Sequence, residues 1–159
     1  METNSKEFDT IRLLQECNAG SKMAVSAIDE VLDRTQGSTL KNLLLDAKQH
    51  HAKLGNDIHT ELAHCHGNTK EPSPVAKGMA WAKTNMKLTL EQSDATVANL
   101  ITDGCDMGIN ALQRCLNDYP DASHAAKDLC RRLMSIEDTL REDLRSYLYS
   151  PVGTGQPLP

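Results

Sequence analysis

Aromatic side chains are almost missing from this chain: one Trp, one Phe and three Tyr make up 3% of 159 residues. Sheets draw on aromatic and β-branched residues to fill their faces, so a core here must come from Leu, Ile, Val, Ala and Met, which suits packed helices. A basic cluster is missing too, and the net charge of −5 argues against a surface for nucleic acid. No stretch approaches the roughly 18 apolar residues of a membrane span, and the polar segment from Met1 to Asp9 lacks the apolar run of a signal peptide. We therefore expect a cytoplasmic protein that engages neither membrane nor nucleic acid. Glycine-rich phosphate loops, a Gly-x-Ser-x-Gly elbow and Cys-x-x-Cys are all absent, which leaves the familiar enzyme classes without their motifs. The five cysteines, Cys17, Cys65, Cys105, Cys115 and Cys130, are an odd number lying mostly within helical patterns. That arrangement suits free thiols in a reducing compartment.

What is present is helical periodicity. The length fits one domain over residues 1–150. Phe8, Ile11, Leu14, Cys17, Val25, Ile28 and Leu32 recur at steps of three and four and predict a helix over about 6–34. Thr35 to Ser38 gives a turn with Ser38 as the expected N-cap. Leu40, Leu44, Ala47, His51, Leu54, Ile58, Leu62 and Cys65 form the cleanest stripe, over about 38–66. Pro72 and Pro74 stop that helix. A short crossover helix is expected over about 75–91, with Met79, Trp81, Met86 and Leu90 on it. A third helix over about 93–117 and a fourth over about 121–149 follow, each opened by a capping candidate, Ser93 or Asp94 in one and Asp121 or Ser123 in the other. Residues 151–159, rich in Pro and Gly, read as a disordered tail. The fold class is all-α: two helical hairpins joined by a long crossover, as in a ferritin-like four-helix bundle.

Cys17-Asn18-Ala19-Gly20 and Cys105-Asp106-Met107-Gly108 both read Cys-x-x-Gly, 88 residues apart, one in each hairpin. With the Gly78-Met79-Ala80-Trp81 crossover, these motifs resemble an uncharacterised bacterial family, the PA2169-like proteins. The resemblance spans about residues 6–148 and implies a ferritin-like fold, with no established activity to carry over.

A carboxylate-bridged pair of metal ions in such a bundle takes an inward Glu from two helices and Glu-x-x-His from the other two. Here His51 lies on the core stripe, but Lys48 stands three residues before it, where a bridging carboxylate is needed. The fourth helix offers Glu137 and no neighbouring His; Glu16, Asp103 and Asp106 lie beside their stripes. Two readings of His51 stay open. It is either a core histidine bonded across the bundle or one ligand, with Glu16, Asp103, Asp106 and Glu137, of a degenerate site for Fe, Mn or Zn. His59, His64, Cys65 and His66 make a second, surface candidate for metal, although they lack the spacing of a zinc site. Cys17 and Cys105 read as small packing residues where Gly20 and Gly108 let helices approach, or as a thiol pair bridged under oxidative stress. Taken together, the sequence favours a non-catalytic bundle, with no resident cofactor, that acts as a homo-oligomer or by docking a protein partner. A metal-binding protein and a thiol-based stress sensor are the alternatives.

Overall fold

Helix α1 (Glu2–Leu32) is the element around which the others are arranged, and its sequence shows why. From Leu13 to Ala19 every residue is buried, including Gln15, Glu16 and Asn18. A surface helix buries one stripe; a continuous buried run means cover on several sides. The structure is a computed structural model and describes residues 2–67 and 93–148. In it, α1 packs against all three remaining helices: α2 (Ser38–His64), α3 (Asp94–Asp118) and α4 (His124–Leu144). A single turn of 3₁₀ helix, Arg145–Tyr147, follows α4. α4 also packs on α2 and α3, so α1 and α4 meet across the short diagonal, with α2 and α3 at the far corners. No strand occurs among the described residues, and no helix there is long and apolar enough to cross a membrane.

Hydrogen bonds at the two ends fix the helix directions. At one end the Asp94 carboxylate, in the first turn of α3, accepts from the backbone N–H groups of Gln36 and Gly37, each at 2.8 Å, and so binds the α1–α2 turn. At the other end Asp9 accepts from Asp121 N–H at 2.9 Å and Thr10 from Ser123 N–H at 2.8 Å, which binds the α3–α4 turn to the start of α1. The order is therefore up, down, down, up. Because α2 and α3 run the same way, residues 68–92 join opposite ends of the bundle.

Several sequence expectations change in detail. Gly37, not Ser38, is the N-cap of α2, and no side chain caps that helix; the orphan amides of the turn go to Asp94 instead. Ser93 and Ser123 do cap, accepting from Thr96 and Ala126 N–H at 3.1 Å. Phe8 is 60% exposed and Val25 half-buried, so neither belongs to the core stripe of α1; Leu13 and Val31 do. The α-helical part of α4 ends at Leu144 rather than near 149, because the tighter 3₁₀ turn brings Tyr147 and Leu148 onto the core. The expected crossover helix, with Trp81, and the expected tail lie outside the described residues.

α2 ends in a Schellman motif. Gly67 N–H donates to Leu62 C=O at 2.9 Å and His66 N–H to Ala63 C=O at 3.0 Å. His66 takes the left-handed conformation, φ 57°, which a residue with a Cβ adopts at a cost of about 1–2 kcal/mol. His66→Gly is expected to raise stability by about 1 kcal/mol in urea denaturation. Asp94→Ala is expected to lower it by about 2 kcal/mol, since it removes two charge-assisted bonds between hairpins; an unchanged midpoint would show that the junction contributes nothing.

Candidate functional site

The apolar core is split in two. The lower cluster, toward the start of α1, contains Leu13, Leu14, Cys17, Ile58, Leu62 and Leu133; the upper cluster, toward its end, contains Ile28, Val31, Leu40, Leu44, Ile101 and Leu144. At the waist between them lie His51 of α2, Glu137 of α4, and Gly108 of α3, where an added Cβ would stand 3.7 Å from the Glu137 carboxyl carbon. On α1 Ser21 packs tightly against α2, since a Cβ on Gly55 would come within 3.0 Å of its hydroxyl. A Cβ on Gly20 would meet only ordinary contact at 3.7 Å, as would one on Gly108. The close approach expected at those two glycines therefore falls at Gly55 instead.

His51 is fully buried. Its Nδ1 lies 2.7 Å from the Ala47 carbonyl, which can only accept, so Nδ1 carries a hydrogen and donates. Nε2 lies 2.8 Å from Glu137 Oε1, so a second proton lies between ring and carboxylate. Burial alone would push the imidazole toward its neutral form. The Glu137 hydrogen bond, the Glu137 charge and the Ala47 carbonyl outweigh it and raise the His51 pKa above its ordinary value. These contacts favour the imidazolium facing the Glu137 carboxylate, a hydrogen-bonded pair 0% and 9% exposed, between the two apolar clusters. Cys105 lies beside it. Burial first, then the Glu137 charge and a thiol hydrogen bond to Glu137, push this thiol far up, so it stays protonated and donates.

The remaining candidates are placed elsewhere. Glu16, 1% exposed, sits with the lower cluster, where burial and Asp118 raise its pKa against the opposing pull of Arg12; its Oε2 has no hydrogen-bond partner among the described residues. Asp103 is exposed on α3, and Asp106 pairs with Arg141 at 2.8 Å. Lys48 points away from the waist to Asp29 at 2.6 Å. The structure thus brings together His51 and Glu137 and leaves Glu16, Asp103 and Asp106 apart from them. At the end of α2, His59, His64 and His66 are exposed and Cys65 is half-buried; His64 faces Glu61 at 3.9 Å. Among the described residues no three His, Cys, Asp or Glu side chains converge as a group able to hold a metal ion.

The thiols also pair differently from expectation. Cys17 belongs to the lower cluster and Cys105 to the upper. α1 and α3 are antiparallel, so equivalent positions of the two Cys-x-x-Gly motifs stand at different heights, and the alternative reading of a Cys17–Cys105 pair is not met. Cys17 instead donates to the Cys130 sulfur, which with burial pushes the Cys17 thiol up, and Cys130 donates to the Leu112 carbonyl at 3.8 Å. Burial and the neighbouring Glu16 push Cys115, in the same cluster, up to about 12. Cys130 was legible in the sequence: Cys130, Leu133, Glu137, Leu140 and Leu144 follow the strict three–four spacing of one inward stripe.

A second feature lies on the outside. Between α2 and α4 runs a groove of about 580 Å³, floored by Leu43, Ala47, Leu54, Ile136 and Leu140. Charged side chains stand along its rim.

No protein-family model matches the chain, and no match is found among curated proteins. Among solved structures the chain is similar to a DUF305 fragment from Deinococcus radiodurans, at 17% identity and a TM-score of 0.68, over 86% of this chain and 92% of that one. This similarity is one of fold, an all-α four-helix bundle, to a domain whose function is unknown.

The raised pKa of His51 fixes a sign. Between about 6.5, the value of a free histidine, and its own folded value, the native state holds a proton that the unfolded chain has released. Stability therefore falls as pH rises through that window. Glu137→Gln removes the carboxylate and leaves burial, the largest effect on His51, opposed by the Ala47 carbonyl, so this variant loses stability as pH falls below about 6.5 and is weaker by about 3 kcal/mol overall. Urea denaturation of both proteins across the pH range tests this, and parallel pH profiles would refute it. The half-buried Cys65 is expected to react first with a thiol reagent, while the four buried cysteines wait for unfolding. A fast phase that survives Cys65→Ser would contradict this.

Proposed function

We propose that this protein is a ferritin-like bundle whose work is association with another protein surface rather than catalysis. The observation that carries the reading is the α2–α4 groove, an apolar floor left at the surface of a domain whose core is otherwise well enclosed. Exposed apolar strips rimmed by polar side chains commonly mark interfaces. The interior supports the same reading. Both nitrogens of His51 and the facing oxygen of Glu137 are used within the bundle, so the pair serves to hold α2 against α4. The ferritin-like assignment is supported by the helix order, since up, down, down, up with one long connection is the arrangement of that class. A cytoplasmic setting is supported by five unbridged cysteines, and a protein rather than a nucleic acid as partner by the acidic balance of the chain.

The test is photo-crosslinking in cells. A photoreactive phenylalanine analogue at Ser135, on the groove rim, is expected to give discrete adducts of higher mass; the same group at Asn110, exposed on α3, is expected to give none. Irradiation that leaves the Ser135 protein at its own mass would overturn the reading.

A further inference from the structure

The groove between α2 and α4 has unlike ends. Because the two helices are antiparallel, Asp46 of α2 and Asp143 of α4 lie together at one end, two negative charges with no cation among the groove residues there. At the other end the lining carries Lys53 of α2 and Arg132 of α4 with Asp57 beside them, two cations and one carboxylate, while Asp128 faces Arg132 from outside the lining. Arg132 is only loosely held, 4.0 Å from both Asp57 and Asp128, and 55% exposed, so it is free to turn to a new partner. At 1.5 Å per residue the opposed charges are about 10 Å apart along α2 and about 16 Å apart along α4. Both separations exceed a Debye length of about 8 Å at physiological salt, so the two ends present distinct fields. The middle of the groove, with His50, Ser135 and Thr139 along its rim, carries no formal charge when His50 is neutral.

Resting on the association reading above, we infer that the occupant of this groove is a second copy of the same chain, docked about a twofold axis through the middle of the groove. A twofold perpendicular to the groove reverses its direction. It sets Asp46 and Asp143 of one copy against Lys53 and Arg132 of the other, at both ends at once, while the half-buried Leu43 and Ile136 of the two copies meet between them. A twofold interface must be self-complementary, and a charge pattern that changes sign from end to end meets that requirement. It also disfavours the parallel docking, which would bring like charges together.

Sedimentation equilibrium on the full chain and two charge-reversed variants tests the inference. One variant combines Asp46→Lys with Asp143→Lys, the other Lys53→Glu with Arg132→Glu; all four side chains are exposed, and circular dichroism confirms that each variant folds. The unaltered chain is expected to dimerise, each variant alone to self-associate about a hundredfold more weakly, and an equimolar mixture of the two to recover a heterodimer. An unaltered chain that stays monomeric to millimolar concentration overturns the inference, as does a mixture no tighter than its components. If the chain is monomeric yet Ser135 still crosslinks to a different protein, the dimer is wrong and the association reading stands. If the Ser135 adduct maps to residues 68–92 of the same chain, or if no adduct forms, both are wrong.

Discussion

The structure depends on the burial of α1 against all three other helices. A helix covered on three sides must bury whatever its sequence places there, and between Thr10 and Ser21 that includes Gln15, Glu16 and Asn18 as well as Leu13, Leu14 and Cys17. The arrangement of the bundle follows. α2 and α4 close around α1 from two directions, α3 fills the third, and the turns at either end are bonded back to Asp94 or to Asp9 and Thr10. Because α1 and α4 share the short diagonal, α2 and α3 are held apart, and the outer edge between α2 and α4 is left as a groove.

Within that frame the buried ion pair acts as a registration mark. Leucines tolerate sliding, since one apolar neighbour serves nearly as well as another, whereas a buried imidazolium needs its carboxylate at hydrogen-bond distance. His51 is further fixed by Ala47 of its own helix, so the position of Glu137 sets the height of α4 against α2. That height brings Asp46 level with Asp143, and Lys53 near Arg132, along the groove. The interior pair and the surface charge pattern are thus consequences of one register.

The interior thiols follow the same logic of height. Cys105 shares the waist with Glu137, while Cys17, Cys115 and Cys130 gather one level away with Glu16. Burial with the Glu137 carboxylate keeps Cys105 protonated, burial with Glu16 does the same for Cys115, and the hydrogen bond to Cys130 with burial does so for Cys17, while that bond lowers the Cys130 thiol; a protonated buried thiol behaves as a small apolar side chain. Small residues at both levels let four helices of unequal bulk pack closely.

The sequence by itself determined the number of core helices, their approximate spans and the inward face of α2, because apolar spacing at three and four residues reports burial of a single stripe. It also marked His51 as inward and named Glu137 among its candidate partners. It was less informative for α1, whose Phe8 and Val25 fit the periodicity yet lie off the core; a helix buried on several sides has no single stripe to read. Tertiary structure alone decided that His51 meets Glu137 rather than Glu16, that Cys17 meets Cys130 rather than Cys105, and that Asp94 replaces Ser38 in satisfying the first turn. Each of these pairings joins residues 57 or more positions apart. Periodicity tells which way a side chain faces within its own helix, but helix direction and relative height decide which residue it faces.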